Sequence, residues 1–82
     1  MEFRTIKFEE PEPGIGCMTL NRPDRLNAIN LDMLEDLHAL FYALHGREDV
    51  RVLVITGQGR GFCSGADLKD ARMKREAATR FS

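Results

Sequence analysis

The chain has 82 residues and a formal net charge of -1, with 12 Lys and Arg set against 13 Asp and Glu. That length admits one small domain at most, and a chain so short buries too little surface to be robust without a disulfide, a metal or a partner. The near-neutral charge gives no electrostatic case for nucleic acid, no apolar stretch approaches membrane-spanning length, and the start lacks the basic and apolar regions of a secretion signal. A soluble cytoplasmic protein is expected.

Residues 3–8 (FRTIKF) alternate crudely and are β-prone, and Pro11, Pro13 and Gly14 then break the chain. Ile15 to Leu20 reads as a second strand, although Gly16 is an awkward strand residue, and the two runs predict an antiparallel hairpin. Residues 21–29 (NRPDRLNAI) are rich in turn formers, and Pro23 excludes a regular helix around it. Asn30 is the expected cap of the helix that follows, with Asp32, Glu35 and Asp36 placing negative charge near its positive end. Leu34, Leu37, Phe41 and Leu44 recur at helical spacing, Met33 and Leu40 widen the stripe, and His45 and Gly46 mark the stop.

Residues 50–56 (VRVLVIT) form an almost unbroken apolar run, the pattern of a strand covered on both faces in a parallel sheet. A glycine-rich segment, 57–65 (GQGRGFCSG), follows. A helix is expected from Asp67 through Arg80, with Leu68, Ala71, Met73, Ala77 and Ala78 as its apolar positions. The order β-β-α-β-loop-α supplies too few layers to cover such a strand. The fold is therefore of the α/β class and unfinished in this chain, its missing cover being more polypeptide or another subunit.

The strand, glycine loop and helix start at 50–69 form the candidate site. Small residues allow backbone to approach a ligand, and free N–H groups there can hold a phosphate or a developing oxyanion. The glycines match no nucleotide fingerprint: Phe62 stands where a dinucleotide motif has its third glycine, and no Lys-Ser/Thr closes a phosphate loop. A plain turn is the competing reading. Cys17 and Cys63 stand far apart with no CxxC and no Cys/His cluster, which favours reduced thiols over a disulfide or zinc site. Cys63 has no base placed beside it by sequence. His38 and His45, seven apart on one helix, lack a third metal ligand. The mixed run of charges from Lys69 to Arg80 fits a solvated helix face. Asp67 fits a helix cap or a loop tether better than a catalytic acid.

Leu20-Asn21-Arg22-Pro23, Asn27-Ala28-Ile29-Asn30, the amphipathic helix, Val52-Leu53-Val54-Ile55-Thr56-Gly57, and Gly61-Phe62-Cys63-Ser64-Gly65-Ala66-Asp67-Leu68-Lys69 together resemble the N-terminal signature of the crotonase (enoyl-CoA hydratase/isomerase) family. The likeness runs from about Ile15 to Asp70. It implies the N-terminal β-β-α-β-α part of a crotonase-like spiral fold, with residues 1–82 as a fragment of one such domain. It also implies an acyl-CoA thioester as substrate, no further cofactor, and a homo-oligomer, trimer or hexamer.

By the same resemblance the backbone N–H of Ala66 donates one of two hydrogen bonds to the thioester carbonyl. Ser64, Gly65, Asp67 and Leu68 lie beside the CoA, and Arg25 and Leu26 contact it. Arg25 could reach a phosphate or be ordinary solvated surface. The family's second oxyanion donor and its catalytic glutamates fall in a later block that has no counterpart after Asp70. Glu9, Glu10, Glu12, Glu35 and Glu48 do not occupy those positions, and Glu76 has no partner in view. Two hypotheses stand: the CoA-binding half of an enzyme, inactive alone, or a non-catalytic oligomerisation or binding module. A third is the surviving part of a proteolysed subunit, cut near residues 70–82.

Overall fold

The computed structural model of the chain describes residues 2–73 and 75. Strands β1 (Ile6–Glu12) and β2 (Ile15–Leu20) form the expected antiparallel hairpin, in register from Ile6 opposite Leu20 to Glu12 opposite Ile15. β1 starts later than residues 3–8 suggested and continues through Pro11 to Glu12. Proline is tolerated because β1 is an edge strand and Pro11 falls where the register shifts between Glu9 and Glu12, so no ladder donor is lost. Gly16 has a packing reason: a Cβ there would lie 2.8 Å from the Phe8 ring on the neighbouring strand.

Helix α1 (Leu31–His45) begins at Asn30, whose side chain accepts a hydrogen bond from the Met33 N–H at 2.9 Å. Asn30→Ala in the full-length protein is expected to lower stability by about 1 kcal/mol, read as a shift in the denaturant midpoint at unchanged slope. The helix ends at Gly46 with a negative φ of -89° rather than a left-handed turn, and Leu44 C=O accepts from Arg47 N–H at 2.9 Å.

The buried face of α1 is rotated from the predicted stripe. Met33, Asp36 and Leu40 are buried, with Leu37 and Leu44 packed alongside, whereas Leu34 and Phe41 are exposed. The rotation follows from Asp36, which points inward instead of serving the helix end. It accepts from the N–H of Arg4 (3.1 Å), the N–H of Thr5 (2.8 Å) and the Thr5 hydroxyl (2.6 Å). The core is Ile6, Met18, Leu20, Met33 and Leu40.

α1 is the crossover that a parallel strand pair requires. Strand β3 (Val52–Gly57) lies parallel to β2, from Ile15 opposite Val52 to Leu20 opposite Gly57. It begins two residues later than expected. Gly14 C=O accepts from the N–H groups of Arg51 (2.8 Å) and Val52 (3.2 Å), which ties the hairpin turn to the head of β3. The sheet order is β1-β2-β3, so the outer edge of β3 is unpaired among the described residues. Its apolar side chains are not covered on both faces: Val52 is 53% exposed, and Val54 and Ile55 are nearly as open. No helix among the described residues is long and apolar enough to cross a membrane.

Candidate functional site

β2 and β3 end side by side, and the site is built from the two segments that leave them. After β2, Pro23 opens a short 3-10 turn, Pro23–Arg25, its fixed φ suiting the first position. Leu26 and Asn27 then take left-handed conformations, at φ 51° and 55°. This is rare for leucine and less so for asparagine. The turn is held by N–H groups of Leu26, Asn27 and Ala28 donating to the carbonyls of Pro23, Arg22 and Arg25.

Asn27 is 0% exposed. Its Oδ1 accepts from Arg22 N–H at 2.7 Å, and its Nδ2 donates to the carbonyls of Gln58 (3.0 Å) and Gly61 (2.8 Å) in the glycine-rich loop. Gly57 must be glycine for this approach, since a Cβ there would sit 2.5 Å from Phe62 O and 2.8 Å from Asn27 Nδ2.

The segment after the loop runs parallel to residues 26–29. Ser64 N–H donates to Leu26 O at 3.1 Å, Ile29 N–H to Gly65 O at 2.8 Å, and Asp67 N–H to Ile29 O at 2.8 Å. Ala66 thus pairs with Ile29 in a parallel bridge. The Gly65 carbonyl points at Ile29, and across a trans peptide the N–H of Ala66 points the opposite way. That N–H has no hydrogen-bond partner among the described residues, and Ala66 is exposed.

Asp67 is a tether. Its Oδ2 lies 3.3 Å from both terminal nitrogens of Arg22, and its Oδ1 accepts from Lys69 N–H at 3.0 Å. The Arg22 guanidinium also donates to Ala28 O. The pair is largely shielded, the side chains being 16% and 13% exposed. With Asp67 held this way, the helix predicted from that residue does not start there. Residues 68–70 turn, and helical backbone appears at 71–73 and 75. The rest of that predicted helix, with Glu76, lies outside the described residues. Ala66 is therefore presented by extended backbone, not by a helix N-terminus.

Asp70 takes over the start of that helical turn. Its Oδ1 accepts from Arg72 N–H at 2.9 Å, and this amide foremost, with the Arg72 guanidinium, holds the carboxyl below its ordinary pKa. A depressed folded value means the contribution is complete above the ordinary aspartate pKa of about 3.9 and is lost as pH falls through the lower folded one. The Arg72 amide resonance is expected to move only below that ordinary value in an NMR titration. A midpoint at or above it would contradict the bond.

Leu26 and Ser64 line an open depression of 420 Å³ together with Arg60, Gly61, Phe62 and Cys63. Leu68 is exposed beyond Asp67. Arg25 is exposed on the last residue of the 3-10 turn and makes no ion pair among the described residues. The sequence does not single out Arg60, and it marks Phe62 only as a departure from a dinucleotide motif and as part of the family block, not as lining of a depression. Their signal was a cation and an aromatic ring in a segment too short of apolar residues to bury either. Two of the glutamates are tied to arginines elsewhere: Glu10 pairs with Arg47 and Glu35 with Arg4.

The family model for enoyl-CoA hydratase/isomerase matches residues 15–81. The chain belongs to the enoyl-CoA hydratase/isomerase family. It is 48% identical over 64 residues to a "Probable enoyl-CoA hydratase" of Mycobacterium leprae, covering 78% of this chain and 22% of the relative. It is 44% identical over 59 residues to a 1,2-epoxyphenylacetyl-CoA isomerase of Escherichia coli, covering 72% and 22%. Among solved structures, an enoyl-CoA hydratase/isomerase from Mycobacterium paratuberculosis superimposes with a TM-score of 0.76 at 44% identity, covering 83% of this chain and 26% of that one. This crotonase-family chain thus spans about a quarter of the length of the relatives it matches. The β-β-α-β part of the order read from the sequence is the one found among the described residues, and the chain superimposes on crotonase-fold structures over most of its length. A relative named as a hydratase and one named as an isomerase each match more than two thirds of this chain.

Proposed function

We propose that this chain is the CoA-binding first part of an enzyme that acts on an acyl-CoA thioester, and that the Ala66 N–H is one donor of its oxyanion hole. The observation that carries the reading is that amide: its neighbours on both sides are spent on Ile29, while it faces away with no partner among the described residues. When a proton leaves the carbon beside a thioester, charge gathers on the carbonyl oxygen. A fixed N–H aimed there lowers the barrier without reorganising. A residue as small as alanine leaves room for the thioester.

Leu26, Ser64, Gly65 and Leu68 flank the bound CoA, and the exposed Arg25 guanidinium meets a phosphate. Asp67 contributes by holding the segment on Arg22 rather than by touching ligand. The second donor and the acid/base pair come from residues beyond these. With Glu10 and Glu35 tied to arginines away from the depression, the 82-residue chain alone turns over no enoyl-CoA. The whole protein is a cytoplasmic homo-oligomer, a trimer or hexamer, that requires no cofactor besides its thioester substrate.

Calorimetric titration of the intact protein with crotonyl-CoA or acetoacetyl-CoA tests this reading. Saturable binding is expected, and no affinity for any acyl-CoA would sink it. The uncovered apolar faces of β3 favour a second reading, a non-catalytic module that oligomerises through them. A stable folded oligomer of the 9.3 kDa chain without acyl-CoA affinity would support that alternative.

A further inference from the structure

Asn27 takes no part in the proposed chemistry, yet no side chain near the site is more fully engaged. Both Nδ2 hydrogens are used, on Gln58 O and Gly61 O, and Oδ1 is used on Arg22 N–H. Its chain neighbours carry the bonds that seat the oxyanion segment: Leu26 O receives Ser64 N–H, and Ile29 exchanges bonds with Gly65 and Asp67. A leucine stays left-handed only where its surroundings over-determine it. Here the surroundings of Leu26 are the turn bonds and the buried amide next to it.

We infer that Asn27 is a positioning residue that sets the direction of the Ala66 N–H by locking the 22–29 turn to the glycine-rich loop, an inference that rests on the proposed role of that amide. Without the Asn27 amide, Leu26 relaxes out of its left-handed state and its carbonyl turns. Ser64 and the Gly65–Ala66 peptide follow that carbonyl. Glycine or aspartate could satisfy the backbone conformation at position 27. Neither offers what asparagine does, an acceptor for Arg22 N–H together with two donors to the loop.

The test uses the intact protein and acetoacetyl-CoA, whose bound enolate has its own ultraviolet absorbance and so reports the oxyanion donors directly. Asn27→Ala is expected to lose kcat for an enoyl-CoA by about 10²-fold and to weaken the enolate band, as for a displaced reacting centre, while its affinity for free CoA falls far less than its kcat. Asn27→Asp keeps the acceptor for Arg22 N–H but turns a carboxylate oxygen on two carbonyls. That contact raises the carboxyl's pKa, and protonation restores one donor, so its kcat relative to wild type should climb as pH falls. The charged side chains on the segments packed around position 27 are Arg22, Asp24, Arg25, Arg60 and Asp67. They are present in both proteins, and the ratio removes them.

A folded Asn27→Ala protein with wild-type kcat and enolate band would overturn the inference, as would one losing CoA binding and kcat in equal proportion. Should Asn27→Ala fail to fold, Asn27→Asp decides: a rising ratio supports the inference, and a flat one refutes it. If the wild type itself shows neither acyl-CoA binding nor an enolate band, the functional reading fails and takes the inference with it. A wild-type band that survives in both variants sinks the inference alone.

Discussion

Ala66→Pro in the full-length enzyme is expected to cut kcat/KM for an acyl-CoA by about 10²- to 10³-fold, the loss typical of one oxyanion donor, while the melting temperature changes little. Proline removes the N–H and places ring carbon where the hydrogen was. No group among the described residues accepts that hydrogen. Residues 64–67 are seated through Ser64 N–H, Gly65 C=O and Asp67 N–H, and all three survive the substitution. Ala66→Gly retains the N–H and should keep most of the activity. The contrast between the two variants separates loss of the donor from disturbance of the segment. A well-folded Ala66→Pro enzyme with full activity would remove this amide from the mechanism.

Asp36→Ala should be the most damaging of these changes for stability, by about 3 kcal/mol, because it strands buried donors at roughly 1–3 kcal/mol each. One carboxylate oxygen accepts from Arg4 N–H, Thr5 N–H and the Thr5 hydroxyl, and Thr5 and Asp36 are both buried. These bonds fasten the entry to β1 onto the middle of α1, elements 31 residues apart in sequence. Asp36→Asn keeps an acceptor and is expected to cost less than half as much. Denaturant unfolding of the intact protein measures both. An Asp36→Ala midpoint equal to wild type would mean that water replaces the carboxylate.

The sequence was informative where the controlling interaction is local. Ile15–Leu20 has β-formers between breakers, and Asn30 precedes an apolar periodicity, so β2 and the start of α1 could be read directly. The apolar run at 50–56 likewise revealed a strand of a parallel sheet. Errors arose where a distant partner overrides local preference. Asp67 looks like a helix start until Arg22, 45 residues earlier, captures its carboxylate. Asp36 looks like a charge for the helix dipole until Thr5 draws it inward. Asn27 was legible as part of a block but not as a buried fork, because its partners are carbonyls, which every residue possesses. Ala66 was named through family likeness, and no property of alanine itself distinguishes it.

The third strand also matters while the polypeptide is being made. Its bare rim and greasy flanks are the kind of surface onto which another ribbon zips. As long as that seam stays bare in the nascent product, clumping competes with maturation. A holdase chaperone would keep such an intermediate in solution.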